Sequence, residues 1–396
     1  MQALERLTAE ARALATGPGL PNVAAGADVA DVAEVARVMQ ICNACRYCEG
    51  FCAVFPAMTR RLQFDAADAH YLANLCHHCG ACLHACQYAP PHEFAVNVPR
   101  AMARVRRQTY VAHAWPPALG ALYQRNGLVL ALALAIGLAL FLALALWRHG
   151  TLWQAPANGF YGVFPHGLLV ALFAPVFGFV VLAFAMGLRR FLRGVTPASS
   201  GAPASWPAAA EATHDVLTLH YLDGGHGEGC HNDSDAWTHA RRRCHHLVFY
   251  GFLLCFAATA SGTLFHYLLG WPAPYALPAL PKLLGAAGGL MLMAGCAGLW
   301  RLQRSRHPLH GDPAQRPMDL GFIALLFLTA ATGFAVWGAR GTAALPLALC
   351  AHLGSVMALF CTMPYGKFAH GVYRGAALLR HAVEKRQPNP VGLGAD

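Results

Sequence analysis

The sequence predicts a mostly α-helical protein in which a cysteine-rich helical domain precedes a bundle of six transmembrane helices. Three observations carry that prediction. Of the 396 residues 56% are hydrophobic and only 12% charged, six apolar runs are long enough to cross a bilayer, and most of the 14 cysteines crowd into one N-terminal stretch.

Leu4, Leu7, Ala11 and Leu14 recur at helical spacing, and a second short helix is expected over Asp31 to Gln40, both bracing the cysteine stretch. From Cys42 to Cys86 the chain repeats itself. Cys42, Cys45, Cys48, Cys52 and Pro56 are matched about 34 residues later by Cys76, Cys79, Cys82, Cys86 and Pro90. The apolar runs follow: Leu128 to Trp147, Phe164 to Leu188, Leu247 to Leu269, Leu283 to Trp300, Leu320 to Trp337 and Ala343 to Met363, none with an Asp, Glu, Lys or Arg. Pro175 interrupts the second, and Gly285, Gly288, Gly289 and Gly295 give the fourth a close-packing face. Domain boundaries are therefore expected at 1–126 for the cysteine domain, 127–195 for two spans, 196–244 for a cytoplasmic loop, 245–373 for four spans and 374–396 for a tail. The loop is rich in Ala, Pro, Gly and Ser at its start and is expected to be poorly ordered there, with no chemistry of its own.

The formal net charge of +10 raises the question of nucleic acid. The basic residues, however, are spread over inter-span loops and form no stripe with interleaved aromatics. Arg104, Arg106 and Arg107 precede the first span, Arg189, Arg190, Arg193 and Arg241 to Arg243 lie between the second and third, and Arg301, Arg304, Arg306 and Arg316 between the fourth and fifth. Lys367, Arg374 and Arg380 follow the sixth, while the alternate loops hold only Arg148, Lys282 and Arg340. This bias places both termini on the cytoplasmic side of a lipid bilayer and excludes a nucleic-acid partner. Glu5, Arg6 and Glu10 stand where an export signal needs an apolar core, so the cysteine domain is expected to stay in the cytoplasm.

In a reducing compartment, clustered cysteines read as metal thiolates rather than disulfides. Each repeat unit is C-x2-C-x2-C-x3-C, which suits three corners of an iron–sulfur cube, with the fourth cysteine serving the neighbouring cube. The expected sets are Cys42, Cys45, Cys48 and Cys86 for one [4Fe-4S] cluster and Cys76, Cys79, Cys82 and Cys52 for the other, making the domain a ferredoxin-like two-cluster unit. Zinc modules use two widely separated ligand pairs instead. His77, His78, His84 and His92 flank the second unit. Hydrogen bonds to sulfur and plain surface positions both account for them. Cys230, Cys244, Cys255, Cys296, Cys350 and Cys361 show no ligand spacing and read as small apolar filler.

His166, His266 and His352 are the ionisable residues within the spans, where such groups call for a functional explanation. Haem b, one or two per chain, is the expected one. With spans three and six antiparallel, His266 and His352 would meet toward the outer side, and His245 or His246 would meet His370 toward the inner side. On a continuous sixth helix His352 and His370 would share a face roughly 27 Å apart, and phase favours His245 over His246. His166 could replace either outer ligand.

With these residues placed, the chain resembles the tricarballylate utilization protein B family, also called the citrate utilization B type. The likeness lies in ICNACRYCEGFCAVFPAM, NLCHHCGACLHACQYAPPHEFAVNVPRAMARVR, HHLVFYGFLLCFAATASGTLFHYLLGW, MDLGFIALLFLTAATGF and TMPYGKFAHGVYR. The resemblance implies a bacterial inner-membrane protein that reoxidises a flavin-dependent tricarballylate dehydrogenase-like partner and passes electrons to membrane quinone, as an electron-transfer subunit rather than a stand-alone enzyme. The membrane half is also similar to the gamma subunit of respiratory nitrate reductases, although its third-span histidines depart from that subunit's spacing. Two other functions fit parts of the pattern. A quinol-oxidising subunit would run the same carriers in reverse, and a transporter or sensor with structural zinc would be colourless.

Overall fold

The computed structural model describes residues 25–195, 204–225 and 227–392. The helix expected around Leu4 to Leu14 lies outside them. The described residues form a helical protein with no strand, only an isolated bridge between Cys230 and Thr238.

The cysteine domain is built on two helices, Ala25–Cys45 and Val98–Ala112, with Ala66–Leu75 packed beside them. Local chemistry fixes where the last two begin. The Asp65 side chain accepts from Asp68 N at 2.8 Å, and the Asn97 side chain accepts from Arg100 N at 2.9 Å ahead of Pro99; both satisfy donors that a helix start leaves open. Between the helices, Val38, Met39, Tyr71, Leu72, Met102 and Val105 are shut off from solvent. This core makes the domain a rigid platform for the cysteine loops.

Among the described residues six helices are long and apolar enough to cross a membrane. They are Asn126–His149, His166–Val195, Ala240–Leu268, Leu280–Arg304, Arg316–Gly338 and Leu345–Thr362. Large apolar side chains point outward, with Ile136 66% and Leu290 62% exposed, a surface that suits lipid rather than water. The third span packs along the fourth, the fourth on the fifth, the fifth on the sixth and the sixth on the first. The second lies against the sixth and against a further helix, Ala369–Glu384. Glycine permits the tightest approaches: a Cβ on Gly288 would come 2.7 Å from Gly251 O, and one on Gly137 would come 2.6 Å from Gly354 O.

The sixth span differs from the expectation of one helix carrying both His352 and His370. It ends at Thr362, and Ala369–Glu384 starts afresh. Pro364 cannot donate the next helical hydrogen bond, and Gly366 lets Tyr123 come so close that a Cβ would lie 2.8 Å from its hydroxyl. The new helix turns onto the cysteine domain, where Arg61 meets Glu384 at 2.6 Å.

The cysteine domain caps one end of the bundle. Asn97 Nδ2 donates to Leu309 O at 3.0 Å, Gln315 Nε2 to Ala103 O at 2.8 Å and Arg190 to Ala114 O at 2.7 Å. The segments after spans two, four and six all meet it there. The loop between spans two and three is also more structured than expected. Residues 196–203 lie outside the described set, but Trp206–Thr218 is a helix started by Ser205, and beyond it Gly225 and His231 touch the cysteine domain at Phe51 and Cys79.

Candidate functional site

The two cysteine units fold alike because their backbones do. Cys42 and Cys45 sit in the last turns of Ala25–Cys45, and Cys76 directly follows Ala66–Leu75. After the second cysteine of each unit the chain turns left-handed, at Arg46 with φ 58° and at the equivalent Gly80 with φ 84°. Beyond the turn the third cysteine stays with the first two, and the fourth passes to the other unit. Glycine is required at the second turn, where a Cβ would stand 2.7 Å from the His310 ring.

Cys42, Cys45, Cys48 and Cys86, with Cys82 at the edge, line a cavity of about 240 Å³ whose other walls include Ile41, Phe55, Tyr88 and Val96. Cys52, Cys76, Cys79 and Cys82 line a tighter one beside it, with His77, His78 and Gly80. The fourth cysteine of each repeat thus lies with the first three of the other. Burial first, and neighbouring cysteines next, push the Cys42 and Cys48 thiols up to about 12 and those of Cys52 and Cys82 well above the usual range. Crowded bare thiolates are therefore unstable here, and a resident group bearing metal charge would ionise them. Among the described residues no three His, Cys, Asp or Glu side chains converge as ligands of one ion. The larger cavity has many times the ~10–15 Å³ that one water needs, so its donor set and space fit a group of several atoms. The second encloses about 10 Å³, and there the four thiols rather than open space fit such a group.

The histidines near the second unit are not alike. His78 is buried, and its Nδ1 accepts from Arg106 at 2.9 Å. His77 Nδ1 donates to Leu75 O at 2.9 Å. His84 lies between Asp235 at 2.7 Å and His310 at 2.6 Å, and His92 packs near Tyr88 and Phe94.

Sequence reasoning missed the segment that covers the second set. His231 N donates to Cys79 O at 3.0 Å, Gly225 fits against the Phe51 backbone where no Cβ could, and Tyr221 lies 6.3 Å from His77. Cys230, read as filler, is buried beside Cys79 and donates its thiol to Leu222 O at 3.6 Å; its closeness holds the Cys79 thiol below the usual range. The only available signal was a cysteine beside a histidine in an otherwise polar loop.

The bundle histidines separate into three groups. His245 and His370 face each other with ring centroids 6.0 Å apart and planes at 82°. His370 Nδ1 donates to Lys367 O, which leaves its Nε2 as the free lone pair, and burial followed by the nearby Arg374 pushes its pKa well down, keeping it neutral. Two imidazoles sharing one metal at roughly 2 Å per metal–nitrogen bond keep about this centroid separation, so His245 and His370 are the residues that would hold a haem. His246 turns instead toward Tyr250, 5.8 Å away.

The outer pairing of His266 with His352 is not formed. His266 stacks on His166 at 4.0 Å with planes 19° apart, while His352 Nδ1 meets Thr332 Oγ1 at 3.2 Å between spans five and six. Spans three and six stand apart because the fourth and fifth lie between them in the packing order. At 4.0 Å the stacked rings are in contact and leave no room for a porphyrin, so the outer histidines as placed do not fit a second haem.

A family model described as Citrate utilization protein B matches residues 121–391, and one described as Citrate utilization protein B Fer4-like domain matches residues 35–112. A curated protein of Escherichia coli, Citrate utilization protein B, is 54% identical over 351 residues, 88% of this chain and 92% of its own. No solved structure matches. The Fer4-like match spans both cysteine units and the other spans the helical bundle, so the chain belongs to the citrate utilization protein B family.

Proposed function

We propose that this chain is a membrane electron-transfer protein. It would take electrons from a reduced flavin dehydrogenase acting on tricarballylate or a related tricarboxylate, carry them through two [4Fe-4S] clusters and one b haem, and deliver them to quinone. Clusters and haem supply one-electron chemistry when bound, and the protein supplies spacing, potential and isolation from water.

The observation that carries the reading is a continuous run of residues from one donor set to the next. The first cysteine set lies beside Tyr47, which is 69% exposed and open to a partner. The second set adjoins it through Cys82. From there Arg374 donates to Cys76 O at 2.7 Å, and one helical turn earlier His370 faces His245. The run ends at the edge of the apolar bundle, where quinone dissolves. The basic loops, all at the capped end, support a cytoplasmic placement of the cysteine domain and both termini in a bacterial inner membrane.

The test is anaerobic addition of the reduced flavoprotein to membranes containing this chain. A reduced haem band that appears and is then bleached by quinone is expected; a band that never appears overturns the path. If quinol alone produces the band and reduces the flavoprotein, flow runs the opposite way.

A further inference from the structure

The two cysteine sets sit in very different electrostatic surroundings. Arg106 donates to Cys76 O at 2.8 Å and to His78 Nδ1 at 2.9 Å, Arg374 donates to the same Cys76 O at 2.7 Å, and Arg306 donates to His78 O at 2.7 Å. Arg241 lies near Cys79 and Cys230, and Lys367 stands behind them, paired to Asp319 at 2.6 Å. Asp319 is the carboxylate that acts on Arg241, Arg306 and Lys367. The Nε atoms of Arg106, Arg241 and Arg306 are enclosed without a hydrogen-bond partner. Around the first set the cation is Arg46, whose Nε is likewise without a partner, but Glu49 neutralises it at 3.0 Å.

Enclosed cations are costly unless an anion faces them. One carboxylate against five cations leaves the second set as the place where negative charge is wanted. Two effects then compete when an electron is added there. Burial penalises the extra negative charge, and nearby cations favour it. At the bare Cys76 thiol burial remains the larger effect over Arg106 and Arg374. At a seated cluster, whose metal charge offsets its thiolates, the cations Arg106, Arg306 and Arg374 at hydrogen-bond distance from the ligand loop decide the comparison with the first set.

We infer that the second set, Cys52, Cys76, Cys79 and Cys82, holds the higher-potential of the two clusters, because Arg106, Arg306 and Arg374 stabilise its reduced form. An electron leaving the exposed first set then runs downhill to the second and toward His370. The inference rests on the two-cluster reading proposed above, and the three arginines are positioning residues that act through the ligand loop.

An anaerobic redox titration of the purified full-length chain, followed by electron paramagnetic resonance, reads both potentials. Arg306→Gln is expected to weaken electron uptake at the higher-potential signal about tenfold, equivalent to about 59 mV for one electron, and to leave the lower one in place. Arg306→Lys should restore most of the loss, and Arg46→Gln should move only the lower signal. Arg106→Gln repeats the test if Arg306→Gln does not fold. If Arg306→Gln moves the lower signal, or neither, while iron and sulfide stay complete, the inference is overturned. Wild-type protein without iron and sulfide overturns the cluster reading and the inference with it.

Discussion

His370 lies with its ring centroid 6.0 Å from that of His245 while its own Nδ1 is tied to Lys367 O, so one ring is aimed by its backbone and the other by the N-terminal end of the third span. Removing either ring should abolish haem binding without touching the cysteine sets. His370→Ala is expected to lose the reduced b-type band and keep its full iron–sulfur content, whereas His246→Ala keeps both. A reduced-minus-oxidised spectrum with an iron assay decides; a haem band that survives in His370→Ala refutes the inner pair.

The exchange of fourth cysteines gives an unsymmetrical prediction. Cys86→Ser should damage the set formed with Cys42, Cys45 and Cys48, and Cys52→Ser the set formed with Cys76, Cys79 and Cys82. Each variant should lose one of the two four-iron signals. If Cys52→Ser loses the same signal as Cys45→Ser, the exchange is wrong.

Glu384 ties the C-terminal helix to the cysteine domain. It meets Arg61 at 2.6 Å and Arg380 at 2.9 Å and accepts from the Tyr71 hydroxyl at 2.9 Å. Burial alone would raise its pKa, but the two guanidinium groups hold it below the ordinary 4.5. A carboxyl depressed on folding contributes stability that is fully present above 4.5 and lost as pH falls through the lower folded value. Glu384→Ala is expected to cost about 3 kcal/mol at neutral pH and to flatten the acid limb of a stability profile followed by thermal unfolding. An unchanged acid limb would remove Glu384 from that role.

Spans three and four meet at glycines, and His245 lies on the third. A Gly288→Val side chain cannot fit where even a Cβ would lie 2.7 Å from Gly251 O. The spans must separate, so haem content should fall with the iron–sulfur content intact. Normal haem occupancy in this variant would show that the packing does not position His245.

These predictions draw unequally on sequence and structure. The cysteine-rich Fer4-like domain was legible because its repeated spacing is local, and the six candidate spans because lipid demands long apolar runs. Helical phase favoured His245 over His246, and His245 is the one whose ring lies near His370. What the sequence did not reveal depends on contacts between distant segments. The break between Thr362 and Ala369 was signalled by Pro364 and Gly366, just past the end of the apolar run at Met363, but sharing one face between His352 and His370 required a single helix through them. Nothing periodic marks the Leu219 to His239 segment, whose Cys230 and His231 acquire meaning only beside Cys79. The stack of His266 on His166 joins side chains from spans two and three, which no local sequence signal brings together.

The central claim is that thiolate-held iron–sulfur groups and imidazole-held haem share this chain. Joint quantification of iron, acid-labile sulfide and haem on the purified full-length protein, with its spectrum before and after dithionite, tests it most directly. The account predicts a brown protein with about eight sulfides for two cubes and one b haem that reduces fully. A pale protein without sulfide or haem, spectrally unchanged by dithionite, would contradict it.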